Sequence, residues 1–410
     1  MNLKSKINVA LLNIMRLWTK QVSSFHKRNN NIWVFGEWYG LQCIDNCMYF
    51  ANYVKQRDES IKVYWIAKEQ TDTTRLLPGI NVLIKDSPQA VDVLKHCGVA
   101  CFGQSFEDFS SNGYNYTEGA ISILLWHGIP WKKIGHDTNH PQNILGKLYY
   151  PISSYLEKAS YYISTSKKYD AILSTAFDAK PKQILKTGYP RNSVFYKEQT
   201  IAENKRLILN RIKEMNRSIS LDGCRIVVYM PTFRNSPNAG RQNTSFSFFH
   251  LSGNESFLQY IEQNNIIIVE KAHHVCQVRD ELGNNRASDR IVYLKDVSAQ
   301  ELLCSADLLV TDYSGAFFDF LILDRPIIHF LYDYDYYRTK DRGLYYDKEE
   351  VLAGEEATDQ EQLIQAIKKN MEHPELYSER RKMIRDTYLE YDSAQSCENL
   401  YHEIKARLKS

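Results

Sequence analysis

Leu308-Leu309-Val310-Thr311-Asp312-Tyr313-Ser314-Gly315-Ala316-Phe317-Phe318-Asp319-Phe320 joins two kinds of structure within one short segment. Leu308 to Val310 is an apolar run of strand length, and a helix is predicted to begin near Ser314. A strand that runs through a polar turn directly into a helix is the building unit of a parallel sheet covered on both faces. The turn carries hydroxyls and a small glycine. Backbone N–H groups at a helix start favour anions, so the segment is a candidate phosphate site. Asp319, about one turn into the helix, is placed to accept hydrogen bonds from a ribose or polyol hydroxyl. The same Asp-Tyr-Ser sequence would also serve as a helix cap with no ligand.

The alternation extends in both directions. Upstream, Ile32–Phe35, Ile61–Ala67, Asn81–Ile84, Val99–Phe102, Ile121–Trp126 and Tyr161–Ser164 read as buried strands, with helical stretches such as Asn46–Lys55 and Gln89–His96 between them. Polar sequence from Lys197 to Asn216 reads as a helical connection. The pattern then restarts with Arg225–Tyr229, Ile266–Glu270, Ile291–Leu294, Asp307–Val310 and Pro326–Phe330, and Glu361–Asn370 and Glu375–Leu389 read as closing helices. At 410 residues the chain is long enough for two domains. The predicted architecture is α/β: two doubly wound halves facing each other across a cleft, with ligands beyond the carboxyl ends of the strands. The expected boundaries are an amino-terminal helix over 1–30, a first domain over 31–205, a second over 206–390 and a closing helix over 391–410.

Composition removes several function classes. The formal charge is +2, which gives no electrostatic case for nucleic-acid binding. No run reaches the ~18 apolar residues that a spanning helix requires. The eight cysteines include no C-x-x-C pair, so a structural zinc site or redox motif is not expected, and scattered thiols suit a reducing compartment. The amino terminus is one-sided: Lys4, Lys6, Arg16, Lys20, Lys27 and Arg28 all precede the first acidic residue, Glu37. Leu3, Ile7, Leu11, Ile14, Trp18, Val22 and Phe25 recur at helical spacing. Such a helix fits the surface of an anionic membrane, the alternative being an amphipathic helix docked on the first domain.

Chemistry-bearing residues follow the strands. His127 comes directly after Trp126, and Gly128 and Pro130 turn the chain there, which places an imidazole at a strand's carboxyl edge. Histidine titrates near neutrality and suits a general base for an alcohol nucleophile. Lys132 is a candidate contact for an acceptor phosphate. Arg191, in the turn Gly188-Tyr189-Pro190-Arg191-Asn192, is placed either to reach a phosphate or to cap a helix end. In the second half, Met230-Pro231-Thr232-Phe233-Arg234 and Val269-Glu270-Lys271-Ala272-His273-His274 each deliver cationic or hydroxyl groups past a strand. Arginine grips phosphate oxygens in pairs. Adjacent His273 and His274 point opposite ways in extended chain, which disfavours a shared metal. Asp333-Tyr334-Asp335 is too short a match to a D-x-D metal motif to carry weight.

Taken in order, LLWHGIPWKKIG (124–135), GYPRN (188–192), YMPTFRN (229–235), KAHH (271–274), TDYSGAFFDFLILDRPIIHF (311–330) and RGLYYD (342–347) resemble the CDP-glycerol glycerophosphotransferase family of teichoic acid and capsule synthesis. WVFGEWYGLQCIDN (33–46) looks like that family's first strand and turn. The resemblance runs from about Trp33 to Asp347. It implies a GT-B-like fold of two Rossmann-type domains, with a CDP-alcohol donor held mainly by the second. It implies that His127 activates the acceptor hydroxyl, and that Arg234, Lys271 and His273 bind the pyrophosphate. Thr311, Ser314, Gly315 and Asp319 match donor-binding positions, and Thr232, Lys132 and Arg191 are further candidate contacts. It also implies a lipid-linked acceptor at the inner membrane face, peripheral attachment, CMP as product, and no cofactor or metal. Three departures stand out: Gly315 replaces a usual second Ser, His274 a usual Pro, and Ile129 a common Thr. The rival reading on the same fold is a glycosyltransferase or sugar-nucleotide epimerase.

Overall fold

A computed structural model describes residues 3–138, 155–215, 220–232, 246–271, 289–294, 297–340 and 343–409. Arg234, His273 and His274 lie outside the described residues.

Short β-branched and aromatic runs build the first sheet: β1 (Asn29–Gly36), β2 (Lys62–Ala67), β3 (Asn81–Ile84), β4 (Cys97–Phe102), β5 (Ile121–Leu124), β6 (Tyr161–Ile163) and β7 (Ile184–Leu185). All pair in parallel, in the order β3-β2-β1-β4-β5-β6-β7. The central strands are dry on both faces: Trp33, Val34 and Phe35 of β1 and every residue of β4 are buried. That burial explains why the strands read as continuous apolar runs rather than alternating ones. Capping side chains start the intervening helices. Asp45 accepts the N–H of Asn46 ahead of α2 (Asn46–Arg57), and Ser87 accepts that of Ala90 ahead of α3 (Pro88–His96).

The second sheet contains β8 (Arg225–Met230), β9 (Ile266–Glu270), β10 (Ile291–Tyr293), β11 (Leu308–Thr311), β12 (Ile327–Phe330) and β13 (Glu355–Ala357), again all parallel, ordered β10-β9-β8-β11-β12-β13. Its core joins Val227, Tyr229, Ile266, Ile268, Leu308, Val310 and Ile328 to the helices over Glu255–Gln263 and Gln360–Glu372. Both sheets thus share one winding. In each, the order reverses beside the first strand, between β1 and β4 and between β8 and β11, which are the switch points where open α/β sheets bind ligands.

The chain separates into two compact units. One comprises Met1–His127, Gly135–Ser193 and Leu389–Ser410; the other comprises Gly128–Ile134 and Val194–Tyr388. Two features of this division were not expected from the sequence. The carboxyl-terminal helix Ser396–Arg407 packs in the first unit, where Tyr401 donates to Asp58 at 2.7 Å. Residues 128–134, immediately after His127, belong to the second unit, whereas a boundary near 205 had placed them in the first.

The amino-terminal helix α1 spans Leu3–Ser23. It turns its polar side inward. Arg16 donates to Asn112 O at 2.6 Å and pairs with Glu107, and Lys20 donates to Tyr155 O at 3.1 Å. Burial lowers the Lys20 pKa, an effect opposed by Glu118. Leu11, Ile14 and Trp18 face outward, Trp18 being 66% exposed. Among the described residues no helix is long and apolar enough to cross a membrane.

Candidate active site

His127 lies three residues past β5, at the carboxyl edge of the first sheet, and it is partly exposed rather than part of the core. The backbone leaves the strand abruptly: Trp126 has φ +52° and Gly128 φ +134°. A bulky residue at positive φ is uncommon and needs support from its surroundings. The imidazole has an indole on each of two flanks, with Trp126 at 4.2 Å and Trp38 at 5.2 Å between ring centroids. Trp38 itself follows β1, again at positive φ (+49°), and its backbone N–H donates to Gln104 Oε1, past β4, at 2.6 Å. Residues from the ends of β1, β4 and β5 therefore meet around His127.

Beneath them sit two interior carboxyl groups. Glu37 is fully buried and accepts the N–H groups of Ile44, Asp45 and Cys47. Burial, with Asp45 close by, raises its pKa well above the usual carboxylate range. Asp108 accepts the N–H groups of Tyr39, Gly103 and Gln104 at 2.6, 2.9 and 2.8 Å. Burial pushes it up to about 7, against the pull of those three donors. Both acids pin the loops that deliver Trp38 and Asp45. Nothing in a single sequence singled them out, because their role appears only once the strand order is known.

Arg191 is interior. Its Nη1 donates to Asp45 Oδ1 at 2.8 Å and to the carbonyl oxygen of His127 at 3.0 Å.

In the second unit, the turn after β11 is tied to the turn after β8, across the switch point. Thr311 Oγ1 donates to Met230 O at 2.7 Å, and Asp312 Oδ1 accepts the N–H of Thr232 at 2.8 Å. Tyr313 stacks on Tyr337 at 3.9 Å and donates to Asp333 Oδ1 at 3.0 Å, which explains part of the late tyrosine cluster as packing. Ser314 and Gly315 are partly exposed. Thr311 and Asp319 are buried, and Asp319 accepts from Gln300 Nε2 at 3.4 Å. The helix after the turn is short, Ala316–Phe320. Lys271 extends from β9 and donates to Val297 O.

The segment 128–134 is seated in this unit. Trp131 is buried between Tyr313 and Phe317, and its Nε1 donates to Tyr346 O at 2.9 Å. Lys132 bridges Leu344, with its ammonium 5.6 Å from the Tyr337 ring centroid. The carbonyl oxygen of Ile129 lies only 2.3 Å from where a Cβ on residue 315 would stand. Two of the departures noted in the sequence, Gly315 and Ile129, are therefore one contact. The segment that follows the histidine in sequence is thus seated against the candidate donor turn within the second unit.

Comparison with known proteins agrees with this architecture. The sequence profile of the CDP-Glycerol:Poly(glycerophosphate) glycerophosphotransferase family matches residues 19–406. A teichoic acid glycerol-phosphate transferase of Staphylococcus aureus is 30% identical over 290 residues, 69% of this chain and 70% of that protein. A teichoic acid poly(glycerol phosphate) polymerase of Bacillus spizizenii is 30% identical over 257 residues, 60% of each chain. A teichoic acid glycerol-phosphate primase of Bacillus subtilis is 29% identical over 237 residues, 57% of this chain and 54% of its own length. The solved wall teichoic acid polymerase TagF shares the fold, with a TM-score of 0.79 at 20% identity over 99% of this chain and 96% of that one. A weaker likeness of fold, TM-score 0.52 at 12% identity, reaches a Staphylococcus aureus MnaA–UDP co-structure over 92% of this chain and 96% of that one. The chain is a GT-B-like transferase and belongs to the CDP-glycerol:poly(glycerophosphate) glycerophosphotransferase family.

Proposed function

We propose that this protein transfers glycerol phosphate from CDP-glycerol to a hydroxyl of a lipid-linked acceptor in teichoic acid-type polymer synthesis, releasing CMP. The observation that carries the proposal is the position of His127. A partly exposed imidazole stands at a strand edge, flanked by two indoles, and its chain runs on into a strap anchored beside Ser314 and Gly315.

In the proposed reaction the acceptor oxygen attacks the β-phosphorus of the donor in line. His127 takes the hydroxyl proton. A new P–O bond forms to the acceptor, the bond from the β-phosphorus to the bridging oxygen breaks, and CMP departs with that oxygen. Lys271, together with Arg234 and His273, stabilises charge on the transferring and departing phosphates, and Ser314 and the backbone of Gly315 contact the donor. A panel of CDP-alcohols assayed for CMP release tests the reaction class; release of a nucleoside diphosphate would instead support a glycosyl mechanism. His127→Ala is expected to lose turnover while calorimetry shows CDP-glycerol still bound. Full activity in that variant would remove His127 from the mechanism.

The proposal extends to the membrane. Helix α1 places Arg16, Lys20 and Ser23 against its own unit and presents Leu11, Ile14 and Trp18 outward, with Phe25 just beyond at 86% exposure. An outward apolar stripe on a helix otherwise rich in basic residues suits insertion into the headgroup region of an anionic bilayer, on the side where a lipid-linked acceptor is reached.

A further inference from the structure

We infer that Asp45, Asn46 and Arg191 are positioning residues for His127, a buried brace that sets the direction of the imidazole through the backbone. The inference rests on the reading of His127 as the general base.

Past Leu124 the strand ladder ends, yet three successive carbonyl groups remain to be satisfied in a largely dry setting. Side chains supply the donors. Asn46 Nδ2 donates to Leu125 O at 3.2 Å and to Trp126 O at 2.9 Å. Arg191 Nη1 donates to His127 O at 3.0 Å. The two donors are tied to each other, since the Arg191 N–H donates to Asn46 Oδ1 at 3.1 Å. Asp45 closes the network. Its Oδ1 accepts from Arg191 at 2.8 Å and from the Asn46 N–H at 2.8 Å, and its Oδ2 accepts from Trp38 Nε1 at 3.2 Å. Trp38 is one of the two rings against His127. A single carboxylate thus fixes both the carbonyl of His127, through Arg191, and a ring that flanks its imidazole. Asn46 is fully buried, and Arg191 and Asp45 nearly so.

A buried ion pair of this kind contributes little net stability compared with apolar packing, because desolvation offsets the attraction. What it supplies is direction. Trp126 is held at positive φ, and the Asn46 and Arg191 hydrogen bonds hold that conformation at three consecutive peptide groups. A displacement of about 1 Å in a reacting group costs on the order of a hundredfold in rate.

The test uses Arg191→Lys, which keeps the charge but not the fixed in-plane directions of the two Nη1 N–H bonds that hold Asp45 and the carbonyl together. Turnover with CDP-glycerol is expected to fall about ten- to a hundredfold, while the calorimetric Kd for CDP-glycerol stays within about twofold. In Arg191→Ala, added guanidinium is expected to restore part of the rate. Asp45→Asn, which preserves shape, serves if the arginine variants fail to fold, with the same split expected. Unchanged turnover would overturn the brace. A Kd weakened about tenfold or more would overturn it in favour of a direct phosphate contact by Arg191. Full activity in His127→Ala would instead remove the base assignment beneath it, which is a separate outcome.

Discussion

Adding one methyl group at residue 315 tests the strap directly. Gly315 has ordinary right-handed helical dihedrals (φ −67°, ψ −8°), so alanine meets no backbone strain there and only space decides the outcome. The new Cβ would stand 2.3 Å from Ile129 O and 3.3 Å from Ile129 C. A carbon and a carbonyl oxygen need roughly 3.2 Å or more, so one side must retreat by about 1 Å. The obstacle is backbone, and no rotamer change removes it. The donor turn is held by Thr311 on Met230 and by Asp312 on Thr232, while Ile129 is held by buried Trp131 two residues later. Overpacking of this kind costs about 1–3 kcal/mol. The thermal midpoint of Gly315→Ala is therefore expected to drop by several degrees. The contact adjoins Ser314 in the candidate donor turn, so relief there displaces a proposed donor contact, and turnover is expected to fall by tenfold or more. Gly315→Ser, which restores the residue the family resemblance leads one to expect, should behave in the same way, because its Cβ meets the same carbonyl. Thermal unfolding and CMP release on purified protein are the measurements. Wild-type stability together with wild-type turnover in both variants would refute the close approach and the linkage drawn from it.

Three further outcomes follow. Trp131→Phe keeps only a smaller aromatic ring and removes the donor to Tyr346 O, leaving a cavity and a buried carbonyl unmatched, and is expected to cost about 2–4 kcal/mol in denaturant unfolding. Ile14→Glu combined with Trp18→Glu changes only outward positions of α1 and should abolish pelleting with anionic phospholipid vesicles while leaving the thermal midpoint unchanged; undiminished pelleting would place attachment elsewhere. Asp108 is raised to about 7 by burial, so between about pH 4 and 7 the folded state holds a proton that the unfolded state has released. Its contribution to stability therefore falls as pH rises through that window and levels off above it. Asp108→Asn is expected to flatten that slope when midpoints are compared across the range.

The strands were legible because burial on both faces writes them as unbroken apolar runs; Ile266–Glu270 and Asn81–Ile84 match their predicted limits, and most others fall within two residues. The exception is β13, Glu355–Ala357, an edge strand three residues long with two glutamates that carries no apolar signal at all. Candidate site residues could be named where chemistry follows a strand directly, as with His127, Ser314 and Lys271, which stand just past β5, β11 and β9. Glu37, Asp108, Asn46 and Asp45 were not, because their work is to satisfy backbone groups of segments distant in sequence. Arg191 shows the limit most clearly. As a residue type in a glycine-proline turn it suggested a phosphate contact or a helix cap, and only the pairing of β5, β6 and β7 brings its turn alongside the loop of His127.

The same limit explains the domain boundary. Hydrophobic pattern reports where a segment is buried, not in which unit, and residues 128–131 are buried as thoroughly as a core strand end: Ile129 and Trp131 are fully enclosed. The chain leaves the first unit at His127, lodges Ile129 and Trp131 in the second, and returns at Gly135. His127 is the last residue of the first unit before this excursion. On its amino-terminal side Asn46 and Arg191 hold the carbonyls of 125–127; on its carboxyl-terminal side Trp131 and the Gly315 contact hold the strap. The two sets of contacts belong to different units. Combining Gly315→Ala with Arg191→Lys tests whether they act on one step: losses that fall short of the sum would couple them. Additive losses would mean that the two sets of contacts act on separate steps.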